Sequence, residues 1–383
     1  ITFQKNSNGT AGAALAGSKI ITNNNRKLLI LCGDAPFITT KSIKSMIRKI
    51  SSADACVGTV ELESPKGYGR IIRSGNKISE IVEERDTTIE QRLIREVNTG
   101  VISIKNSVFK KHITEIKNNN AKKEYYLTDI IKILIDKDYK VNTNKFIDDL
   151  EVTGVNSKVD LVNLEKKYLL RKAERLLENG TLVRDPSKTE IRGDLKVKSN
   201  VEIDINCVFE DSVSIGDNTK IGHNCYFNRC KIGSNVHIKP NTIIFGSTIG
   251  NRCIVGPYAR IRPGSILKNE VHVGNFVEVK NSSIGERTKV NHLSYIGDAK
   301  LGSDINIGAG TITCNYDGIN KNKTKIKDKV FIGSNSSLVA PITINKGSIV
   351  GAGSVITKNV RKKSLALTRS TQLEVKNYKR KKK

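Results

Sequence analysis

The 383-residue sequence has no tryptophan, one methionine, seven prolines and only 5% aromatic residues. That scarcity excludes a core packed around large rings. The interior has to be assembled from Ile, Val and Leu, with 30 glycines available for close backbone approach. No stretch reaches the ~20 consecutive apolar residues that span a bilayer as a helix, so no transmembrane segment is expected. No secretory leader is expected, and there is no Cys-x-x-Cys pair. The cysteines at 32, 56, 207, 225, 230, 253 and 314 are odd in number and scattered, which argues against a disulfide framework and fits a reducing cytoplasm.

Acidic residues are also in short supply, 38 against 65 lysines and arginines, leaving a formal charge of +27. Such a charge raises nucleic acid or an anionic membrane as a partner. The lysines, however, are dispersed among Ile and Asn, as in Asn23-Asn24-Asn25-Arg26-Lys27, and do not alternate with aromatics on one stripe. A composition bias combined with attraction for phosphorylated substrates is the better reading, and no nucleic-acid partner is expected. The closing Tyr378-Lys379-Arg380-Lys381-Lys382-Lys383 reads as a frayed basic tail. The first residue is Ile1 and the chain enters in mid-pattern, so a fragment is expected.

The length allows two domains. Residues 1–157 alternate buried-strand runs (Lys27 to Cys32, Ala55 to Val60, Val101 to Ile104) with helical stretches (Ser42 to Ile50, Leu127 to Ile135), which predicts an α/β domain on a mostly parallel sheet. Residues 158–182 lack proline, carry good helix formers and end at Asn179-Gly180, as a linker helix would. From 183 to 383 the period becomes six. Ile203, Phe209, Ile215, Ile221 and Phe227 fall at six-residue steps, and Ile332, Leu338, Ile344, Val350 and Ile356 repeat the series. Glycine often follows the aliphatic residue by one, as at Gly216, Gly274 and Gly308, which predicts corners of positive φ. Six residues per strand and corner make a three-faced parallel β-helix of hexapeptide repeats. Gly310 to Lys329 is polar and out of phase, and is expected to be extruded as a loop.

A β-helix by itself is compatible with a spacer, a transferase or a metal-dependent hydratase. Polar groups concentrate between Arg260 and Tyr316: Arg260, Arg262, Glu278, Lys280, His292, Tyr295, Asn306, Asn315 and Tyr316. One histidine with two arginines and a lysine suits an anionic phosphate and a nucleophile in need of a base. His292 taken alone is better read as a surface histidine. A zinc site needs about three convergent histidines; His223, His237 and His272 are disfavoured but stay open as a trio.

Four strings narrow this further: Gly256 to Gly264 (GPYARIRPG), Val273 to Lys280 (VGNFVEVK), Asn291 to Asp298 (NHLSYIGD) and Asn306 to Gly318 (NIGAGTITCNYDG). They closely resemble the bifunctional N-acetylglucosamine-1-phosphate uridyltransferase/glucosamine-1-phosphate acetyltransferase family, and the likeness spans the chain. The resemblance implies an α/β nucleotidyltransferase (Rossmann-like) domain, N-terminally incomplete, then a linker helix and a left-handed parallel β-helix. It implies acetyl transfer from acetyl-CoA to glucosamine-1-phosphate in a cytoplasmic homotrimer with sites between neighbouring chains. His292 would be the base, assisted by Glu278. Arg262 and Lys280 would hold the phosphate, Tyr295 and Asn306 the sugar, and Ala309, Asn315, Tyr316, Ser334, Ala352 and Arg369 the acetyl-CoA.

For the front domain the resemblance implies uridylyl transfer from UTP. Gln4, Gly9, Thr10, Gly33, Gly69, Glu83 and Asn98 would contact UDP-N-acetylglucosamine, and Asp34 and Asn156 would contact it and hold Mg²⁺. The family's opening strand, its Gly-rich phosphate loop and a lysine precede Ile1, so uridylyl transfer is expected to be lost in the chain as given. Two rival readings remain: another sugar-phosphate nucleotidyltransferase with a regulatory β-helix, and a basic scaffold or nucleic-acid-binding protein.

Overall fold

The computed structural model describes residues 2–4 and 8–379, which divide into two compact units between residues 167 and 168. In the first, α1 (Thr10–Ser18), β1 (Lys27–Ile30), α2 (Thr40–Lys49) and β2 (Ala55–Glu61) lead to the hairpin β3 (Arg70–Ser74) and β4 (Lys77–Val82). A short helix α3 (Ile89–Arg92), β5 (Glu96–Lys105), α4 (Asn106–His112), α5 (Asp129–Asp136) and β6 (Val141–Lys145) follow. The sheet order is β4-β3-β5-β2-β6, with β1 also on β5.

This sheet corrects the expectation of a mostly parallel one. Among the described strands of this sheet only β2 and β6 pair in parallel, while β5 runs antiparallel to β1, β2 and β3. Helix α2 carries the chain back between β1 and β2, whereas β5 is entered after a tight hairpin turn at Gly75 (φ +60) and so returns in the opposite direction. The core beneath it is aliphatic, with Ile102, Ile104, Ile130, Ile131 and Leu134 buried around Phe109.

Helix α6 (Lys158–Glu178) opens on a capping pair, the Asp160 amide donating to the Ser157 hydroxyl at 3.1 Å and that hydroxyl to the Asp160 carboxylate at 2.9 Å. It is followed by Gly180 at φ +86. Among the described residues no helix is long and apolar enough to cross a membrane.

The second unit is a parallel β-solenoid. Its first face stacks Tyr226–Asn228, Ile243–Phe245, Arg260–Ile261, Glu278–Lys280, Tyr295–Gly297, Ile312–Cys314 and Ser337–Val339. The second stacks Thr248–Ile249 through Ile342–Ile344, and the third, an 11-stranded sheet, runs from Leu182–Val183 to Leu365–Ala366. Inward residues stack on their equivalents one coil on: Phe209 on Phe227 with rings 5.1 Å apart, then Ile244, Ile261, Val279 and Ile296. Burying each such side chain is worth about 1.5–3 kcal/mol, and only a neighbouring coil can do it.

Two sequence expectations change here. Gly216, Gly274 and Gly308, the glycines expected at these corners, do not take up positive φ. That conformation falls two residues later, at Asn218 (+56), Asn235 (+57), Arg252 (+55) and Asp304 (+59). The glycines are needed for clearance instead: a Cβ on Gly274 would lie 1.9 Å from the Asn291 carbonyl oxygen of the next coil. The extruded segment is also shorter than Gly310 to Lys329. Thr313, fully buried, takes the aliphatic place opposite Leu338, and Ile326 resumes the stack against Leu301. Only residues 315–323 leave the coil, because a buried threonine keeps the phase that an aliphatic count misses.

Candidate functional site

Each unit carries a cluster of the residues singled out above. In the first, a cleft of about 490 Å³ is lined by Asp34, Gly69, Glu83, Asn98 and Asn156, together with Cys32, Lys66, Thr153, Gly154 and Lys167. Gly33 lies between Cys32 and Asp34 in the loop after β1. The Asp34 carbonyl oxygen accepts from the Val155 amide at 3.0 Å, and the Gly69 carbonyl from the Asn98 amide at 2.8 Å. A Cβ on Gly154 would stand 3.1 Å from an Asp34 carboxylate oxygen and 3.9 Å from the Asn156 amide, so these two side chains flank one glycine. Glu83 accepts from the Thr128 hydroxyl at 3.0 Å. Burial pushes its carboxyl up, partly opposed by Thr128 and Lys122, with Asp86 adding to the rise. Burial, then Asp34 and Glu83, push the Cys32 thiol up as well, which disfavours the thiolate, its nucleophilic form.

Gln4, Gly9 and Thr10 gather at the start of α1 and not on the cleft lining. The Gln4 amide donates to Asn8 Oδ1 at 3.0 Å and to the Gly9 carbonyl at 3.3 Å. Gly9 adopts φ +113 where a Cβ would meet the Tyr125 carbonyl oxygen at 2.5 Å, a contact that only glycine avoids. Thr10 Oγ1 accepts from the Leu127 amide at 2.9 Å, one residue from the Thr128 that holds Glu83.

In the solenoid, parallel stacking turns sequence separations of one coil into contacts. The Leu293 amide donates to the Asn275 carbonyl, Gly310 to His292, Asn335 to Ala309 and Gly353 to Ser334, at 2.7 to 3.3 Å. Asn275, His292, Ala309, Ser334 and Ala352 therefore occupy one corner, coil upon coil, and the Arg369 side chain lies beside Gly353, 3.8 Å from where its Cβ would be. His292 is exposed, and its Nδ1 is 2.8 Å from Asn275 Oδ1. Around this corner the first face presents Arg260, Glu278 and Tyr295 in register, with Lys280 beside Gly297. Arg262 donates to Glu278 at 2.7 Å, and Arg260 lies 3.7 Å from the other carboxylate oxygen. Glu278 is thus engaged by arginines, and the ring partner of His292 is Asn275. A Cβ on Gly297 would collide with the Tyr295 ring, so the glycine makes room for it.

Asn306 stands apart on the third face, between Lys289 and Phe331. Asn315, buried, begins the extruded segment, and the exposed Tyr316 donates to the Gly318 carbonyl at 2.5 Å. His237 and His272 are separated by Ile254 in the same stack, and among the described residues no three His, Cys, Asp or Glu side chains converge as a metal site.

Residues 1–150 match the Nucleotidyl transferase family, 191–292 the GMPPB C-terminal domain, and 323–358 the bacterial transferase hexapeptide (six repeats). The bifunctional protein GlmU of Acinetobacter baylyi is 45% identical over 352 residues, covering 92% of this chain and 78% of that protein. That of Methylobacillus flagellatus is 45% identical over 354 residues (92% and 77%), and that of Marinobacter nauticus 41% over 373 (97% and 82%). The chain belongs to the GlmU family.

GlmU proteins are bifunctional enzymes that couple acetyl transfer with uridylyl transfer for UDP-N-acetylglucosamine synthesis, and this chain is an enzyme of that type. The rival readings, a regulatory β-helix and a basic scaffold, are not favoured. Sequence reasoning did not single out Asn275 and Asp298 in the GlmU solenoid, nor Thr128 and Gly154 in the other unit. The pointer to Asn275 is its 17-residue distance from His292, one coil of the repeat.

Proposed function

We propose that residues 168–383 of this GlmU-family chain carry the acetyl-transfer site, with His292 as the base, and that the cleft in the first unit is the uridylyl-transfer site. The observation that carries the first reading is the corner stack of His292, Ala309, Ser334 and Ala352 beside the Arg262–Glu278–Lys280–Tyr295 surface. Asn275 Oδ1 is an acceptor, so in the neutral ring the Nδ1 facing it bears the proton and Nε2 presents the lone pair that a base needs. The amine of glucosamine-1-phosphate attacks the thioester carbonyl, the carbon–sulfur bond breaks, the amine proton passes to Nε2, and CoA leaves as thiolate to be protonated. Arg262 and Lys280 hold the phosphate, and Glu278 fixes the Arg262 fork, which orients the guanidinium for a dianion. Tyr295 and Asn306 position the sugar. Ala309, Ser334 and Ala352 leave a small-residue channel for acetyl-CoA, with Asn315, Tyr316 and Arg369 at its edges.

Because Asn306 projects from a different face, the complete site takes residues from two chains of a homotrimer. In the first unit, Gly33, Gly69, Glu83 and Asn98 contact the sugar nucleotide in the cleft, and Gln4, Gly9 and Thr10 approach it from the start of α1, next to the Thr128 that holds Glu83. Asp34 and Asn156, which flank Gly154, would hold Mg²⁺ through their side-chain oxygens, the hard donors that suit this ion. When bound, the ion neutralises charge on the transferring phosphates. The substrates are small cytoplasmic metabolites.

The test is CoA release by the full chain from acetyl-CoA and glucosamine-1-phosphate, with His292→Ala alongside. Loss of a general base is expected to lower turnover by about 10²–10⁴ while the oligomer is kept. A wild type that assembles but releases no CoA would refute the acetyltransferase reading.

A further inference from the structure

Asp298 stands at the corner between the first and second faces, at φ +50 and 8% exposed. None of the roles given above uses it. Its carboxylate receives two side-chain amides: Asn281 Nδ2 from the preceding coil at 2.6 Å, and Asn315 Nδ2 from the following one at 2.5 Å. Its backbone amide donates to the Lys280 carbonyl at 3.0 Å, and its carbonyl accepts from the Thr324 amide at 3.3 Å. Asn315 and Thr324 bound the extruded segment, so one residue grips both of its roots. The segment itself is compact: Asp317 Oδ1 accepts from the Ile319 and Asn320 amides, the Asn322 amide donates to the Asn315 carbonyl at 2.7 Å, and Tyr316 bridges to Lys321.

A carboxylate accepts hydrogen bonds and cannot donate them. It therefore dictates which end of each neighbouring amide turns inward. Nδ2 of Asn315 must face Asp298, and Oδ1 must face away; among the described residues nothing donates to that oxygen. Burial alone would raise the Asp298 carboxyl, but the two amides and the charges of Lys280 and Lys321 hold it below the usual range, so the acceptor-only form persists at neutral pH.

We propose that Asp298 is a positioning residue of the acetyl-transfer site, which fixes both roots of the 315–323 loop and presents the Asn315 amide oxygen outward as an acceptor for a substrate N–H group. The inference rests on the acetyltransferase reading above. Two sources supply such a donor, the pantetheine amides of acetyl-CoA and the amine of glucosamine-1-phosphate.

Asp298→Asn keeps the shape but can donate as well as accept, and so frees Asn315 to flip. In steady-state assays of the full chain we expect KM for one substrate to rise about tenfold, the worth of one hydrogen bond, while kcat, the other KM and the thermal midpoint stay near wild type. A rise confined to acetyl-CoA assigns the pantetheine arm; a rise confined to glucosamine-1-phosphate assigns the amine. Two unchanged KM values, or a joint fall of kcat and folded protein, would overturn the proposal.

Hydrogen exchange supplies an arm independent of turnover. In Asp298→Ala the Ile319, Asn320 and Asn322 amides should exchange at least about tenfold faster, with the coil amides around Leu338 unchanged. Equal exchange in the loop would overturn the anchoring. If the wild type transfers no acetyl group, the functional reading fails, and the exchange measurement still decides whether Asp298 holds the loop.

Discussion

Asp129 begins α5 beside the cleft, partly buried and close to Glu83 and Asp86. Burial, then the charges of those two carboxylates, push its carboxyl up to about 6. A raised carboxyl in the folded state means that the native protein binds the proton more tightly than the unfolded chain. This contribution to stability is complete below the ordinary Asp value and is lost as pH rises through about 6. Asp129→Asn should therefore be about 1–2 kcal/mol more stable than wild type at pH 8, and equal to it near pH 4, in urea melts at the two pH values. A stability difference independent of pH would show that the charge is not the cause. The same scale shows what a linear sequence conceals. The family resemblance of the NHLSYIGD string picks out His292 as a candidate base, but nothing in the sequence picks out Asn275 and Asp298, because their partners lie one coil away and only stacking brings 17-residue separations within hydrogen-bond distance.

At the scale of the element, the six-residue lock of buried aliphatics makes the solenoid readable before any coordinates. Every inward position from Ile203 to Phe227 and from Ile332 to Ile356 is buried as that period requires. The reason for the glycines is less readable, since a sequence does not say whether a glycine serves φ or clearance. Gly274→Ala would drive a methyl into the Asn291 carbonyl of the next coil, and backbone yields less readily than a side chain. We expect a loss of about 2–4 kcal/mol in denaturant unfolding of the full chain. Gly17→Ala, in α1 with nothing within 4 Å of the new methyl, should instead be neutral or gain up to about 1 kcal/mol. A Gly274→Ala chain as stable as wild type would show that the coils slide apart without penalty. The sheet of the first unit illustrates the converse difficulty. Apolar runs identify β1, β2 and β5, but they carry no direction, and the antiparallel course of β5 follows from the hairpin before it.

At the scale of the whole molecule, the decisive fact is that the solenoid displays its polar residues on more than one face. His292 lies at the corner between the third and first faces, while Asn306 projects from the third, between Lys289 and Phe331. If one active site takes His292 from one chain and Asn306 from its neighbour, chains defective in different residues complement each other. His292→Ala and Asn306→Ala proteins, each impaired alone, would be co-expressed in equal amounts so that the proposed trimers assemble at random. A site is then intact when its histidine comes from an Asn306→Ala chain and its asparagine from a His292→Ala chain, which happens with probability one half times one half. About a quarter of wild-type acetyl transfer should return. If both residues of a site came from the same chain, no site in any mixed trimer would be intact, and the mixture would be no more active than the variants apart.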